Sequence, residues 1–220
     1  MATNAKRTNI KRREESREKI LDAAERLFAQ GGFNGVSTKQ IAQAGEFDAS
    51  LMHYYFENKE GLFRAVIERR AESVNRIRLE SLKRYSDDAG ERITVEGVLR
   101  AYLEPTFAYV MAGGNSFKDY LSIIAHVNST PAAIIPGFET SPFDPAVREF
   151  LSMIGRAAPD RTEAEIFWFY HMLSGAITLT WARTGRIDAL SEGLCSSDDL
   201  ESACREMIAV FADGLSRGRR

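Results

Sequence analysis

Between Val36 and Arg70, in VSTKQIAQAGEFDASLMHYYFENKEGLFRAVIERR, three helix starts crowd into one short span. Ser37 with Gln40 three residues on has the form of a capping box, which starts a helix near Thr38. Asp48 has the side chain that accepts from the free N–H groups opening a helix. Asn58 has the same capacity, and Glu60 then falls in a first turn that favours acids. The span therefore reads as a short helix, a tight turn over Gly45–Asp48, a second short helix running to about Tyr55, and a longer fourth helix opened by Lys59. Ile41 and Ala42 point inward from the first of these, and Leu62, Phe63, Val66 and Ile67 give the last an apolar face. Ahead of the span, Ile20, Leu21, Ala24, Leu27 and Phe28 fall on one face of a helix. That helix stops at Gly31-Gly32, where glycine permits the left-handed turn after a helix end.

Apolar spacing stays helical through the rest of the chain. Helices are expected at about 94–113, 115–128, 146–157, 162–184 and 197–217. The longest irregular stretch runs from Ser129 to Pro145 and holds four of the six prolines. Alternating strand patterns are scarce, so the expected fold class is all-α. Ile166–Ala182 carries no charge over seventeen residues. It contains His171, Ser174, Gly175, Thr178 and Thr180 and is short of the ~20 mostly apolar residues a membrane span needs. A buried or dimer-forming helix is expected there, with no membrane partner.

The net charge of -2 hides an asymmetry: residues 1–70 carry 13 Lys/Arg against 10 Asp/Glu, and residues 71–220 carry 16 against 21. Lys6, Arg7, Lys11, Arg12 and Arg13 stand in the first thirteen residues with no acid among them, which suits a polyanion or a solvated tail equally. The span after it has what a DNA groove asks for. B-DNA's major groove admits one α-helix, and sequence is read there on base edges. Ala49 and Ser50 are small enough for close approach, and Leu51 can pack on a thymine methyl. His53, Tyr54 and Tyr55 carry groups that bond phosphates or bases. At least one of those three is expected to point inward, and Phe56 is expected in the core. Thr38 and Lys39 open a helix, where free N–H groups favour a phosphate. Lys59 is placed for another.

At these residues the chain resembles the TetR family of transcriptional regulators. The resemblance lies in Ala24–Phe33 (AERLFAQGGF), Ser37–Ala42 (STKQIA) and Tyr54–Phe63 (YYFENKEGLF). It implies a three-helix DNA-binding domain with a helix-turn-helix, joined by the fourth helix to a helical ligand-binding and dimerisation domain. The corresponding divisions are a basic arm over 1–13, a reading domain over 14–60 and a sensor domain over 61–220. Matched by position, the DNA contacts are Thr38, Lys39, Ala49, Ser50, Leu51, His53, Tyr54, Tyr55 and Lys59, with the basic arm beside them. The chain departs from the family in two places. Ala44-Gly45-Glu46-Phe47-Asp48 sets the turn glycine one place early, so Glu46 takes a position that often wants a positive φ. His53 stands where a tyrosine is common, so the operator bases cannot be borrowed from relatives.

The remainder of the chain suits a sensor. Leu200, Cys204, Met207, Ile208, Phe211 and Leu215 make an apolar stripe, and the 166–182 helix is apolar around most of its circumference. The resemblance places a symmetric dimer interface at these two helices, with Trp168, Met172, Leu179, Cys204, Met207 and Phe211 as its candidates. A pocket is expected among the helices between, lined by Phe107, Met111, Tyr120, Ile123, Ile124, Phe150, Met153, Phe167, Tyr170 and His171. His126 and His171 are the polar anchors offered to a carboxylate or hydroxyl. Ala157–Gly175 also resembles the fatty-acid-responsive branch of the family, which implies an apolar effector. The expected partners are operator DNA, a second copy of the chain and a small-molecule effector.

No glycine-rich phosphate loop, metal-ligand cluster or nucleophile elbow is present, so neither an enzyme nor a cofactor or metal is expected. Cys195 and Cys204 make no disulfide framework and fit a reducing cytoplasm. No signal peptide is visible. Two alternatives stay open on residues alone: an activator of the same family, and a helical protein-interaction module that uses the basic start for acidic partners.

Overall fold

The computed structural model describes residues 2–130 and 141–216, and every regular element among them is an α-helix. In chain order these are α1 (Ala2–Gly31), α2 (Thr38–Ala44), α3 (Ala49–Phe56), α4 (Lys59–Ala89), α5 (Val95–Ala112), α6 (Asn115–Ser129), α7 (Asp144–Ala157), α8 (Glu163–Ala182), α9 (Arg186–Leu190) and α10 (Leu200–Ser216). Two compact units result. The first is Met1–Arg69 with Asp119–Glu139, and the second is Arg70–Lys118 with Thr140–Arg220. The division runs through α4 and α6.

In the first unit each cap does what its residue type allows. Ser37 accepts from the Gln40 N–H at 3.2 Å, and the Gln40 side chain accepts from the Ser37 N–H at 2.8 Å. Asp48 Oδ1 accepts from the Ser50 N–H at 2.8 Å, and Asn58 Oδ1 from the Gly61 N–H at 2.7 Å. Gly32 takes φ +63° after α1, the conformation that glycine enters without a Cβ penalty. Ile20, Leu21, Phe28, Ile41, Met52, Leu62, Val66 and Ile67 are buried, and the Phe63 ring meets Phe28 edge-on at 4.9 Å. Burying each such side chain contributes roughly 1.5–3 kcal/mol. Arg69 of α4 pairs with three acids of α1: Asp22 at 2.8 Å, Glu18 at 3.2 Å and the buried Glu25.

The basic start is not an extended arm. α1 is continuous from Ala2, so Lys11, Arg12 and Arg13 are exposed residues of a helix; the side chains of Lys6 and Arg7 lie outside the described residues. Ser16 Oγ donates back to the Arg12 carbonyl, and Lys11 pairs with Glu15 four residues on. These local bonds extend a helix that the apolar face further along has already nucleated.

In the second unit α5 packs on α10 and α7, and α8 packs on α7 and α10. Its core includes Val98, Leu99, Tyr102, Phe107, Phe150, Met153, Leu173 and Trp181. The Arg161 guanidinium donates to the Leu215 carbonyl at 2.7 and 3.2 Å, which ties the loop before α8 to the end of α10. The late helix begins at Leu200, three residues after the expected start, where Asp199 accepts from the Ser202 N–H. The short α9 follows a left-handed Gly185 and was not expected from apolar spacing. The expected Ser129–Pro145 loop falls largely outside the described residues.

Candidate functional site

The turn between α2 and α3 is built as a paired helix end. The Glu46 N–H bonds to the Gln43 carbonyl and the Phe47 N–H to the Ala42 carbonyl, at 3.2 and 3.1 Å. These are the two bonds of a Schellman ending, and they require a left-handed residue at position 46. Glu46 supplies it with φ +52°, as the early glycine foreshadows. Gly45 itself sits at φ -91° and is needed for a different reason. A Cβ there would lie 2.3 Å from the Phe47 ring and 3.0 Å from Ala23. The glycine is thus spent on admitting the Phe47 ring, and the neighbouring residue bears the left-handed strain. Glu46→Gly is therefore expected to raise stability by about 0.5–1 kcal/mol, the αL penalty outweighing added unfolded-state freedom. A urea titration of the full chain measures it.

That turn presents α3 with Met52 and Phe56 inward and the other face outward. Ala49, Ser50, Leu51 and His53 are exposed, and Tyr54 is 63% exposed. Tyr55 is the inward-leaning member of the trio, half-buried with its ring 6.1 Å from Phe56. His53 Nδ1 lies 2.9 Å from the Glu57 carbonyl. A carbonyl only accepts, so Nδ1 carries the proton and Nε2 of the neutral ring is an acceptor. The Ser50 hydroxyl and N–H both bond the Asp48 carboxylate and hold it below the usual carboxylate range. Its cap thus persists above the ordinary carboxylate pKa and is lost as pH falls through the depressed one.

Two basic residues take unexpected places. Arg13 donates to the Tyr54 hydroxyl at 2.6 Å, its guanidinium 5.5 Å from the ring centre. The basic stretch of α1 therefore meets the exposed face of α3. Lys59, expected from its place in the sequence to meet a phosphate, donates to the Val36 carbonyl at 2.9 Å and lies 4.3 Å from the Phe33 ring centre. It is a half-buried clasp between the start of α4 and the loop before α2. Thr38 is half-buried and Lys39 exposed in the first turn of α2.

The second unit redistributes the other candidates. Trp168, Met172 and Leu179 do project outward from α8, at spacings that put them on one face, with Trp168 65% exposed. Cys204 and Met207 do not: both are buried in the core of the unit, and Phe211 is half-buried with its ring 5.6 Å from Phe169. Burial pushes the Cys204 thiol up to about 11. The stripe of α10 is spent on its own unit, and its large exposed apolar residue among those described is Val210. Between α8 and α10 lies an open furrow of 590 Å³, lined by Trp168, Phe169, Met172, Val210 and Phe211 among others.

The ten pocket candidates do not make one lining. Tyr120, Ile123 and Ile124 are buried in the first unit, where the Tyr120 hydroxyl donates to the Ile67 carbonyl at 3.4 Å. Met111, Phe167 and His171 are exposed, as is His126, so neither histidine anchors an internal ligand. Phe107, Phe150 and Met153 are buried in the second unit with the half-buried Tyr170, whose ring centre lies 6.3 Å from that of Phe150. The polar residue that sequence reasoning missed is Arg78. It lies on the inner face of α4, only 5% exposed, with its guanidinium carbon 4.4 Å from the centre of the Tyr102 ring. An arginine among Arg76, Arg78, Lys83 and Arg84 gives no sequence sign of burial.

Two short helices joined by a tight turn, the second with one face held outward, define a helix-turn-helix protein that also carries a second helical unit. Residues 20–66 match the family described as bacterial regulatory proteins, tetR family, and residues 100–214 match the tetracyclin repressor-like C-terminal domain. The chain belongs to the TetR family of transcriptional regulators. It is 29% identical over 141 residues to the HTH-type transcriptional regulator RutR of Escherichia coli O157:H7, across 57% of this chain and 65% of that protein. It is 32% identical over 68 residues to the HTH-type transcriptional repressor NicS of Pseudomonas putida, across 31% and 32% of the two chains. These matches cover less than two thirds of either relative. A TetR-like regulator from Rhodococcus sp. RHA1 shares the fold with a TM-score of 0.60 at 18% identity, covering 94% of this chain and 97% of that one. The fatty acid degradation regulator FadR from Bacillus halodurans does so with 0.56 at 14%, covering 92% and 97%. Among the described residues no helix is long and apolar enough to cross a membrane.

Proposed function

We propose that the chain is a ligand-responsive transcriptional repressor that binds a palindromic operator as a homodimer and is released by a small effector. The outward face of α3 carries this reading. Ala49 and Ser50 allow the helix start to approach base edges, Leu51 offers a surface to a thymine methyl, and Tyr54 reaches beyond them. His53 Nε2 is assigned the role of acceptor for an adenine or cytosine amino group. Lys39, Arg12 and Arg13 neutralise phosphates beside it. One such helix reads a few base pairs, so two copies related by a two-fold axis are needed for a specific site. The exposed face of α8 and its furrow suit the second copy. The repressor names of relatives such as NicS favour repression over activation.

Selection of genomic fragments bound by the purified chain, followed by sequencing, tests the reading. Inverted repeats are the expected result. Sequence-indifferent binding, or retention of no DNA at moderate salt, speaks against it and favours the protein-interaction alternative. Removal of residues 1–13 is expected to weaken operator binding and to flatten its salt dependence. Each phosphate no longer neutralised takes roughly 0.9 off the slope of log K against log salt. An unchanged slope in a filter-binding titration would return those residues to a solvated role.

A further inference from the structure

Four large aliphatic side chains of the second unit stand in solvent within one short stretch: Leu179, Ile187, Leu190 and Leu194. Leu190 is 71% exposed and Leu194 88%. All four line an open groove of 640 Å³ between the end of α8, the short α9 and the start of α10. Single exposed leucines need no explanation, but a contiguous set does. The turn that carries them is closely bonded. The Ser191 N–H bonds to the Ile187 carbonyl and the Gly193 N–H to the Asp188 carbonyl, both at 2.9 Å. Ser191 Oγ accepts from the Cys195 N–H at 2.9 Å, and the Asp188 carboxylate from the Ser197 N–H at 3.0 Å. Glu192 is held at φ +51°, in the left-handed region that costs a residue with a Cβ. Such a frame fixes Leu190 and Leu194 before any partner arrives, which lowers the entropy lost on binding.

Continuity, charge and extent together indicate what covers the groove. Trp168, Met172, Gly175 and Leu179 are all exposed and recur at spacings of four, three and four, so they form one outward stripe along α8. The start of the stripe, at Trp168 and Met172, lines the furrow against the end of α10. Its end, at Leu179, lines the groove against the start of α10. The two hollows thus lie end to end along one α8–α10 seam. The groove walls also carry Arg186 and Arg205 beside Asp199 and Glu206. A surface that meets its own copy across a two-fold axis is repelled if one sign dominates, and this one is balanced. A polyanion would find no excess of cations there. A stable interface takes about 20–30 residues a side, more than the α8 stripe and Val210 supply.

Resting on the dimeric function proposed for the chain, we infer that a second copy covers the α9 groove as well as the α8 face, with Leu190 and Leu194 as buried anchors of the interface. Cys195 lines the same groove and is exposed in the single chain, so association hides its thiol. Cys204 is already buried in the core of its own unit and reports nothing of the partner. The chain therefore carries its own probe of the groove.

Sedimentation equilibrium of the full chain gives the dissociation constant, and alkylation by N-ethylmaleimide, read by peptide mass, gives the reactivity of Cys195. Alkylation is expected to be about ten-fold slower, or more, well above that constant than well below it, because the thiol reacts through the monomer. Leu190→Gln with Leu194→Gln is expected to keep the fold by circular dichroism, since both side chains face water in the single chain. It is expected to raise the dissociation constant about 100-fold. A dimer whose Cys195 reacts as fast as the monomer's, or whose dissociation constant the double variant leaves unchanged, would overturn the inference and leave dimerisation through α8 standing. Protection that survives dilution would assign the groove to a co-purified small molecule and overturn the second copy as its occupant. A chain that is monomeric at every concentration sinks the dimeric reading itself, and this inference with it.

Discussion

Arg69→Met is expected to cost about 3 kcal/mol of folding stability, the scale of breaking a buried ion pair by removing one partner. Three acids of α1, Glu18, Asp22 and Glu25, recur at helical spacing and meet this one guanidinium on α4. Burial alone would push the Arg69 pKa down; its bonds to Glu25 and Asp22 outweigh that and hold it raised. The Glu18 and Asp22 contacts are solvent-facing and worth ~0–1 kcal/mol each. Glu25 is different, because it is only 4% exposed, so water does not replace its charge-assisted bond to that guanidinium. Urea unfolding followed by circular dichroism measures the loss. The double variant Arg69→Met with Glu25→Leu is expected to recover part of it, since the buried carboxylate is removed together with this partner. A single-variant cost under about 0.5 kcal/mol would mean that the cluster behaves as ordinary surface pairs.

Trp168→Glu is expected to break the proposed dimer into monomers and to abolish tight operator binding. Trp168 stands on the exposed α8 face, one turn before Met172, and lines the furrow to α10. A buried tryptophan anchor at an interface is commonly worth about 2 kcal/mol or more. In an isologous dimer each substitution counts twice, so roughly 4 kcal/mol is lost, about a thousand-fold in dissociation constant. Sedimentation at micromolar concentration reads the mass, and a filter-binding assay reads the operator. A Trp168→Glu protein that stays dimeric would move the interface off α8. Cys204→Ser is the contrasting control. Its side chain packs inside the unit, so it is expected to lower Tm without changing the mass.

The parts of this fold that were legible in the sequence are those that local chemistry decides. Ser37, Asp48 and Asn58 each bond within three residues of themselves, so residue type and spacing sufficed. The left-handed Glu46 was legible for the same reason, because a glycine displaced by one position leaves the turn geometry unchanged. What was not legible is which neighbour an apolar face meets. Cys204 and Met207 lie on the stripe that periodicity identified, but periodicity does not distinguish α5 from a second subunit. The α8 helix, apolar around most of its circumference, hid its two faces in one composition, so Phe167 and His171 read as pocket residues while standing outside. The packing of Arg78 and of Lys59 was not legible either. Each is a cation whose long stem lets it settle among aromatic rings, and such burial leaves no mark in sequence pattern.

The bond from Arg13 to the Tyr54 hydroxyl has a bearing on how such a regulator diverges. A residue proposed to meet phosphates steadies one proposed to face bases, so on that reading affinity and preference are not separate dials. Substitutions among the opening basic residues would then retune which promoters are chosen, while every residue of the recognition segment stays the same.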